Sequence, residues 1–236
     1  NTASGTAAAA VIDASGHEGA LTIDIGQLSS NEFFNASKLD GVDVLRLSTG
    51  DGDDDTILNI PAGTSIYVDG VENAVNELTL DPDGSGSDDQ LDLTLAHATA
   101  GSSIDLNALI LDGFETTTIT SSGTNSSSSV VKNVVDDISG LSSDHTINIA
   151  GDKAFKATGI EATFTKVVVT NTAGVDLAFD DSNDLTFTGG TAADRVVFTV
   201  LGQITKDDTL TGGDGIDTVA ITAASNALEG DAITAA

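Results

Sequence analysis

Glycine and aspartate recur together in this chain at spacings that suit the binding of a hard cation. The fullest case is Gly212-Gly213-Asp214-Gly215-Ile216-Asp217-Thr218-Val219. Glycines let a backbone turn through positive φ and bring its carbonyls close to an ion. Aspartate adds an anionic oxygen of the kind Ca²⁺ favours. Val219 then starts an apolar strand. The core G-x-G-x-D recurs at Gly50-Asp51-Gly52-Asp53-Asp54 and at Gly84-Ser85-Gly86-Ser87-Asp88. Those two copies lie 34 residues apart and extend to G-x-G-x-D-D-x-U, through Asp55 to Ile57 and through Asp89 to Leu91. A weaker copy, Gly189-Gly190-Thr191-Ala192-Ala193-Asp194-Arg195-Val196, sits 23 residues before the fullest one and lacks its third glycine.

Other acidic turns add donors. Asp81, Asp83 and Ser85 occupy positions 1, 3 and 5 of a loop with Gly86 at position 6 and Asp92 at position 12, the order of an EF-type calcium loop. Position 12 is Asp in place of the bidentate Glu, and no amphipathic helix flanks the loop, so it reads as an oxygen-rich loop in a β context. Asp51, Asp53, Asp54 and Asp55 place four carboxylates in five residues, a repulsive group without a cation. Asp180 and Asp184 bracket another acidic turn, and Asp207-Asp208 precede the Gly212–Asp217 turn. The last two read first as turns and second as extra ligands.

The elements that must carry these turns are strands. LTFT at 185–188 aligns with DTLT at 208–211, and VVFTV at 196–200 with VAITA at 219–223, which predicts one coil of 23 residues. A second phrase, glycine–apolar–acid followed by alternating residues, occurs at Gly41-Val42-Asp43, Gly70-Val71-Glu72, Gly113-Phe114-Glu115 and Gly159-Ile160-Glu161, at intervals of 29, 43 and 46 residues. Period-2 alternation marks half-buried strands over 56–60, 65–69, 91–95, 103–106, 116–120, 146–150, 163–170, 175–179 and 185–188. Two short helices are expected, within 27–38 and over 130–138. The fold class is all-β: a parallel β-solenoid, β-roll-like, with insertions and few short helices. The Ser-rich stretch 121–129 reads as a flexible boundary between a first solenoid part, 1–120, and a second, 130–236.

Composition narrows the function. The chain has 8 basic against 37 acidic residues, a formal net charge of −29, so nucleic acid is not expected as a partner, since phosphate binding needs Lys and Arg. Asp outnumbers Glu 30 to 7, and the short side chain suits turns and ion cages. There is no cysteine, hence no disulfide and no thiolate metal site. No apolar run approaches a membrane span. No G-x-S-x-G elbow, P-loop or H-E-x-x-H motif is present, and His17, His97 and His145 lie far apart in sequence, so no enzyme is expected.

The glycine–aspartate nonapeptide resembles that of the RTX family of secreted bacterial proteins. With Thr-, Ser- and Ala-rich strands, no cysteine and an acidic balance, the chain is most similar to RTX-type surface-layer proteins. The resemblance implies bound Ca²⁺, export by type I secretion, a place at the cell surface and assembly with copies of itself into a two-dimensional lattice. It also implies attachment to cell-surface polysaccharide through another domain. A segment of an RTX adhesin that binds host or carbohydrate surfaces is the alternative it implies, and the tail of a secreted enzyme a third. The C-terminal secretion signal of the family is not recognisable in this sequence.

Overall fold

The computed structural model describes residues 12–26, 33–48, 54–70, 77–84, 86–125, 131–140, 144–161, 163–180, 184–199 and 204–222. Strands are numbered in chain order. β1 (Ile12–Asp13) and β4 (Leu39–Asp40) form a small parallel pair. The rest alternate between two nine-stranded sheets. The first sheet holds β2 (Thr22–Asp24), β5 (Val44–Leu47), β7 (Ser65–Val68), β9 (Gln90–Ala96) and β11 (Thr116–Ser122). It continues through β13 (His145–Gly151), β15 (Phe164–Val169), β17 (Thr186–Thr188) and β19 (Thr209–Thr211). The second holds β3 (Phe33–Asn35), β6 (Asp55–Ile60), β8 (Glu77–Pro82), β10 (Asp105–Leu111) and β12 (Asn133–Ser139). It ends with β14 (Phe155–Ile160), β16 (Val175–Phe179), β18 (Arg195–Phe198) and β20 (Thr218–Ile221). Neighbours within each sheet run parallel, and a strand of the other sheet intervenes in sequence. The chain is therefore a parallel β-solenoid.

Register makes the core a set of apolar columns. Leu45, Ile66, Leu93, Ile119, Ile149 and Val169 stack from coil to coil in the first sheet. Leu78, Leu109, Ile138, Ile160, Phe179 and Phe198 do so in the second. All of these are buried. Because side chains alternate between faces, a one-residue slip would turn a whole column to solvent, so the columns fix the register. The expected 23-residue coil is present: Thr186–Thr188 pair with Thr209–Thr211, and Arg195–Phe198 with Thr218–Ile221.

The described residues contain no helix; of the two expected, the first lies partly outside them, over 27–32. Phe33–Asn35 form β3, and Asn133–Ser139 form β12, paired on both sides by β10 and β14. In β12 the inward residues are Asn133, Val135 and Ile138, with Asp136 and Asp137 both half-buried between them. That single break in period-2 alternation gives the segment a helical look, while pairing on both edges and the β-branched Val134, Val135 and Ile138 favour strand. β14 is a strand that the alternation did not disclose.

A polar layer interrupts the apolar columns. Leu47, Val68 and Leu95 are followed in the same column by Ser121 and Gly151. A Cβ on Gly151, which has φ 107°, would lie 1.9 Å from the Ser121 carbonyl oxygen. Beside this close approach, Asn133 ties its own coil to the one before it. Its Oδ1 accepts from the Ile104 amide at 3.0 Å, and its Nδ2 donates to the Leu95 carbonyl at 2.8 Å and to Ser121 Oγ at 3.1 Å. Asn171 donates to the carbonyls of Ala150 (3.1 Å) and Lys153 (2.9 Å). Lys153 is itself fully buried and donates from Nζ to the Ser102 carbonyl. Its pKa is pushed down by burial. Asn133→Ala would orphan several buried backbone groups and should cost about 3 kcal/mol. Urea unfolding monitored by circular dichroism reads this as a lower midpoint with an unchanged slope.

Candidate functional site

Many of the acidic residues occupy the corners where the chain passes between sheets, and several of these reach across to the neighbouring coil. Asp43 Oδ2 accepts the Leu21 amide, Glu115 Oε2 the Asp89 amide and Asp208 Oδ1 the Leu185 amide, each at 2.7 Å. These three lie just ahead of β5, β11 and β19. At the opposite corner, Asp54 Oδ1 accepts from Glu77 (3.1 Å), Asp194 Oδ1 from Val175 (3.1 Å) and Asp217 Oδ1 from Asp194 (3.0 Å). The carboxylates thus satisfy backbone donors at the corners, where the ladders end. The glycine–apolar–acid phrase marks this device at Asp43 and Glu115. Its copy at Gly159-Ile160-Glu161 lies at the same kind of corner, ahead of β15, and the copy at Gly70 belongs to the opposite one, ahead of β8. Val71 and Glu72 lie outside the described residues.

The glycine pairs have a steric reason. A Cβ on Gly189 would sit 1.8 Å from the Gly212 oxygen, and one on Gly212 would sit 2.2 Å from Asp217 Oδ2. Asp194 Oδ2 accepts the Gly190 amide at 2.8 Å, and the Asp214 amide donates to the Gly190 carbonyl at 2.9 Å. So the two Gly-Gly turns stack backbone on backbone, with Asp194 buried between coils and Asp217 one coil on. Burial pushes the Asp194 pKa up, and the Asp217 charge adds to this against the two amide hydrogen bonds. Asp214 and Gly215 are exposed on the last coil.

The EF-like loop forms the corner between β8 and β9. Asp83, Asp88, Asp89 and Asp92 gather around a cleft of about 300 Å³ with Thr64, Pro82 and Phe114. Asp89 Oδ2 is buried there without a hydrogen-bond partner. Asp81 stands apart from this group, and its pKa is raised by burial and then by the neighbouring Asp112. Ser85, Asp51 and Asp53 lie outside the described residues; Asp54 is exposed and Asp55 buried at the start of β6. Asp207 binds Lys206 at 2.7 Å, and Asp184 is exposed nearby.

A larger cleft, about 540 Å³, is lined by Asp136, Asp137, Thr158, Gly159, Glu161, Thr163 and Asp180. A Cβ on Gly159 would lie 2.6 Å from Asp180 Oδ2 and 3.2 Å from Asp137 Oδ1, so only glycine leaves room between these two carboxylates. Burial first, and Asp180 second, raise the Asp137 pKa. The sequence reading named Asp180 and missed Asp136 and Asp137, because a helical assignment hid their placement. The adjacent acids in Val134-Val135-Asp136-Asp137-Ile138, read as a strand with one irregular step, would have found them.

Donors at both clefts and at the stacked glycine turns are oxygens, the set a hard cation prefers. Among the described residues no three Asp, Glu or His side chains form a ready-made metal cage, so any ion there would draw on carbonyls as well. His145 and Thr117 form an imidazole–hydroxyl pair at 2.9 Å, but both side chains are fully buried. His97 Nδ1 accepts the Thr99 amide at 2.9 Å.

The Asp137–Asp180 pair predicts a pH-dependent gain. A raised folded-state pKa means that stability is lost as pH rises above the ordinary Asp value of 3.8. Asp137→Asn should therefore be more stable than the parent in EGTA at neutral pH, with the advantage vanishing as pH falls below 3.8. Paired urea titrations across that range check both parts. No protein-family model matches this chain, and neither a curated protein nor a solved structure does.

Proposed function

We propose that this chain is a structural, calcium-dependent module of a secreted bacterial surface-layer lattice, without a catalytic role. One observation carries the reading: carboxylates of different coils are set against one another. Asp81 feels Asp112, Asp105 feels Asp136, Asp137 feels Asp180 and Asp194 feels Asp217, each with its pKa raised by burial first and by the like charge after it. Eight basic residues cannot offset 37 acids. Several already have partners: Arg46 lies between Asp24 and Asp69, and Lys132 and Arg195 share Asp176.

A divalent cation supplies the missing charge and several long, flexible oxygen contacts. An ion in the cleft lined by Asp83, Asp88, Asp89 and Asp92 would draw on one or two of these carboxylates and on carbonyls, a second ion on Asp194 and Asp217 with glycine carbonyls, and a third on Asp137 and Asp180. Each site filled at ten times its Kd adds about 1.4 kcal/mol, so a few sites decide whether the coils stay stacked. Where calcium is scarce the repulsion favours the loose chain, which suits export. Where calcium is plentiful it favours the coil. Ions held at exposed corners would bridge acidic copies into a lattice by the same charge balance.

Circular dichroism and sedimentation velocity in EGTA, CaCl₂ and MgCl₂ test this. Calcium alone should convert a loose chain into β structure and drive growth into large ordered species. Calcium-induced folding that stays monomeric would move the reading to an adhesin segment. A fold indifferent to calcium and EGTA would refute the cation role.

A further inference from the structure

His145 opens β13 at a corner with an irregular backbone. The residue before it, Asp144, has a left-handed φ of 63°, and the β13–β15 register shifts between His145 and Thr146. The imidazole is fully buried. Nε2 lies 2.9 Å from Thr117 Oγ1, and the ring packs against Phe164 with centroids 4.7 Å apart. Nδ1 has no hydrogen-bond partner. Thr163 Oγ1 is also buried without one, while the Thr163 carbonyl accepts the His145 amide at 2.9 Å. A Cβ on Gly140 would lie 3.6 Å from Nδ1 and 2.9 Å from the Leu111 oxygen, so the backbone closes tightly over this side of the ring.

The charged groups on the surrounding elements bond to other residues, face other carboxylates or are exposed. Glu115, ahead of β11, binds the Asp89 amide. On β12, Asp136 accepts from Thr158 and Asp137 faces Asp180. Asp112, beyond β10, faces Asp81. Asp144, Glu161 and Lys166 are exposed. Burial is the cause that holds the ring's pKa down, to about 4.

We propose that His145 is an acid-sensitive latch between the coils that carry β11, β13 and β15, released when its ring takes up a proton. The neutral imidazole fits the closed corner, with Thr117 on one nitrogen and no hydrogen-bond partner on the other among the described residues. An imidazolium has a second N–H to satisfy, at a nitrogen that has no hydrogen-bond partner among the described residues. Protonation therefore favours states in which this corner is open to water. The latch is fully closed above the ordinary histidine value of 6.5 and weakens as pH falls from there to about 4.

The test is urea unfolding of the full chain and of His145→Gln, from about pH 7.5 to about pH 4.5 at constant ionic strength. Between those limits the folded-to-unfolded ratio of the parent should fall relative to the variant by about a hundredfold. The acidic pairs titrate in both proteins and drop out of the difference. Parallel curves for parent and variant would overturn the proposal. Should His145→Gln fail to fold, carbon-13 spectra of the histidine rings in the parent decide the matter. The His145 ring should stay neutral in the folded chain at about pH 5 and titrate normally in urea. A folded-state ring that charges at about 6.5 would overturn the latch.

Discussion

Coil-on-coil register is the constraint on which this structure depends. A parallel ladder fixes strand spacing, and side chains alternate strictly, so each inward residue must meet a neighbour of compatible size above and below it. The columns through Ile119 and Ile138 satisfy that rule with Leu, Ile, Val and Phe alone. The corners cannot, because there the ladder stops and backbone donors are left over. Asp43, Glu115, Asp194, Asp208 and Asp217 supply acceptors at those places. The aspartates are therefore part of the fold before they are ligands of anything.

That arrangement carries an electrostatic consequence. Using carboxylates to satisfy successive coils stacks like charges along the corners, where partial burial reduces screening by water. Hydrogen bonds to amides stabilise each carboxylate alone, while burial and its neighbours work the other way, as at Asp194. The Asp137–Asp180 pair has two walls and a glycine floor with no basic residue lining it. Arg46, held between Asp24 and Asp69, shows the alternative, a fixed cation bridging coils. The acidic corners without an arginine are those at which a mobile cation has most to offset.

Polar groups also enter the core itself. Asn133, Asn171, Lys153 and His145 are buried, and each bonds to a group on another segment. A column of aliphatic residues tolerates exchange of coils, because one isoleucine replaces another at little cost. A buried amide with fixed partners does not, since a shifted register would leave those partners unsatisfied. These residues mark particular coils in an otherwise repetitive stack.

The sequence by itself determined the class of fold, the 23-residue coil near its end and the placement of glycine and aspartate at turns. Those features are local or periodic: alternation needs only neighbouring residues, and LTFT against DTLT needs only a constant offset. Tertiary structure decided what distance along the chain conceals. The segment containing Val134, Val135 and Ile138 is a strand because β10 and β14 pair with it on both sides. Asp137 meets Asp180 because an irregular register beside Gly159 brings them across an intervening strand. His145, Lys153 and Asn133 look like ordinary polar residues in sequence. Each became buried because its partner lies one or more coils away, and only closure of the solenoid brings the two together.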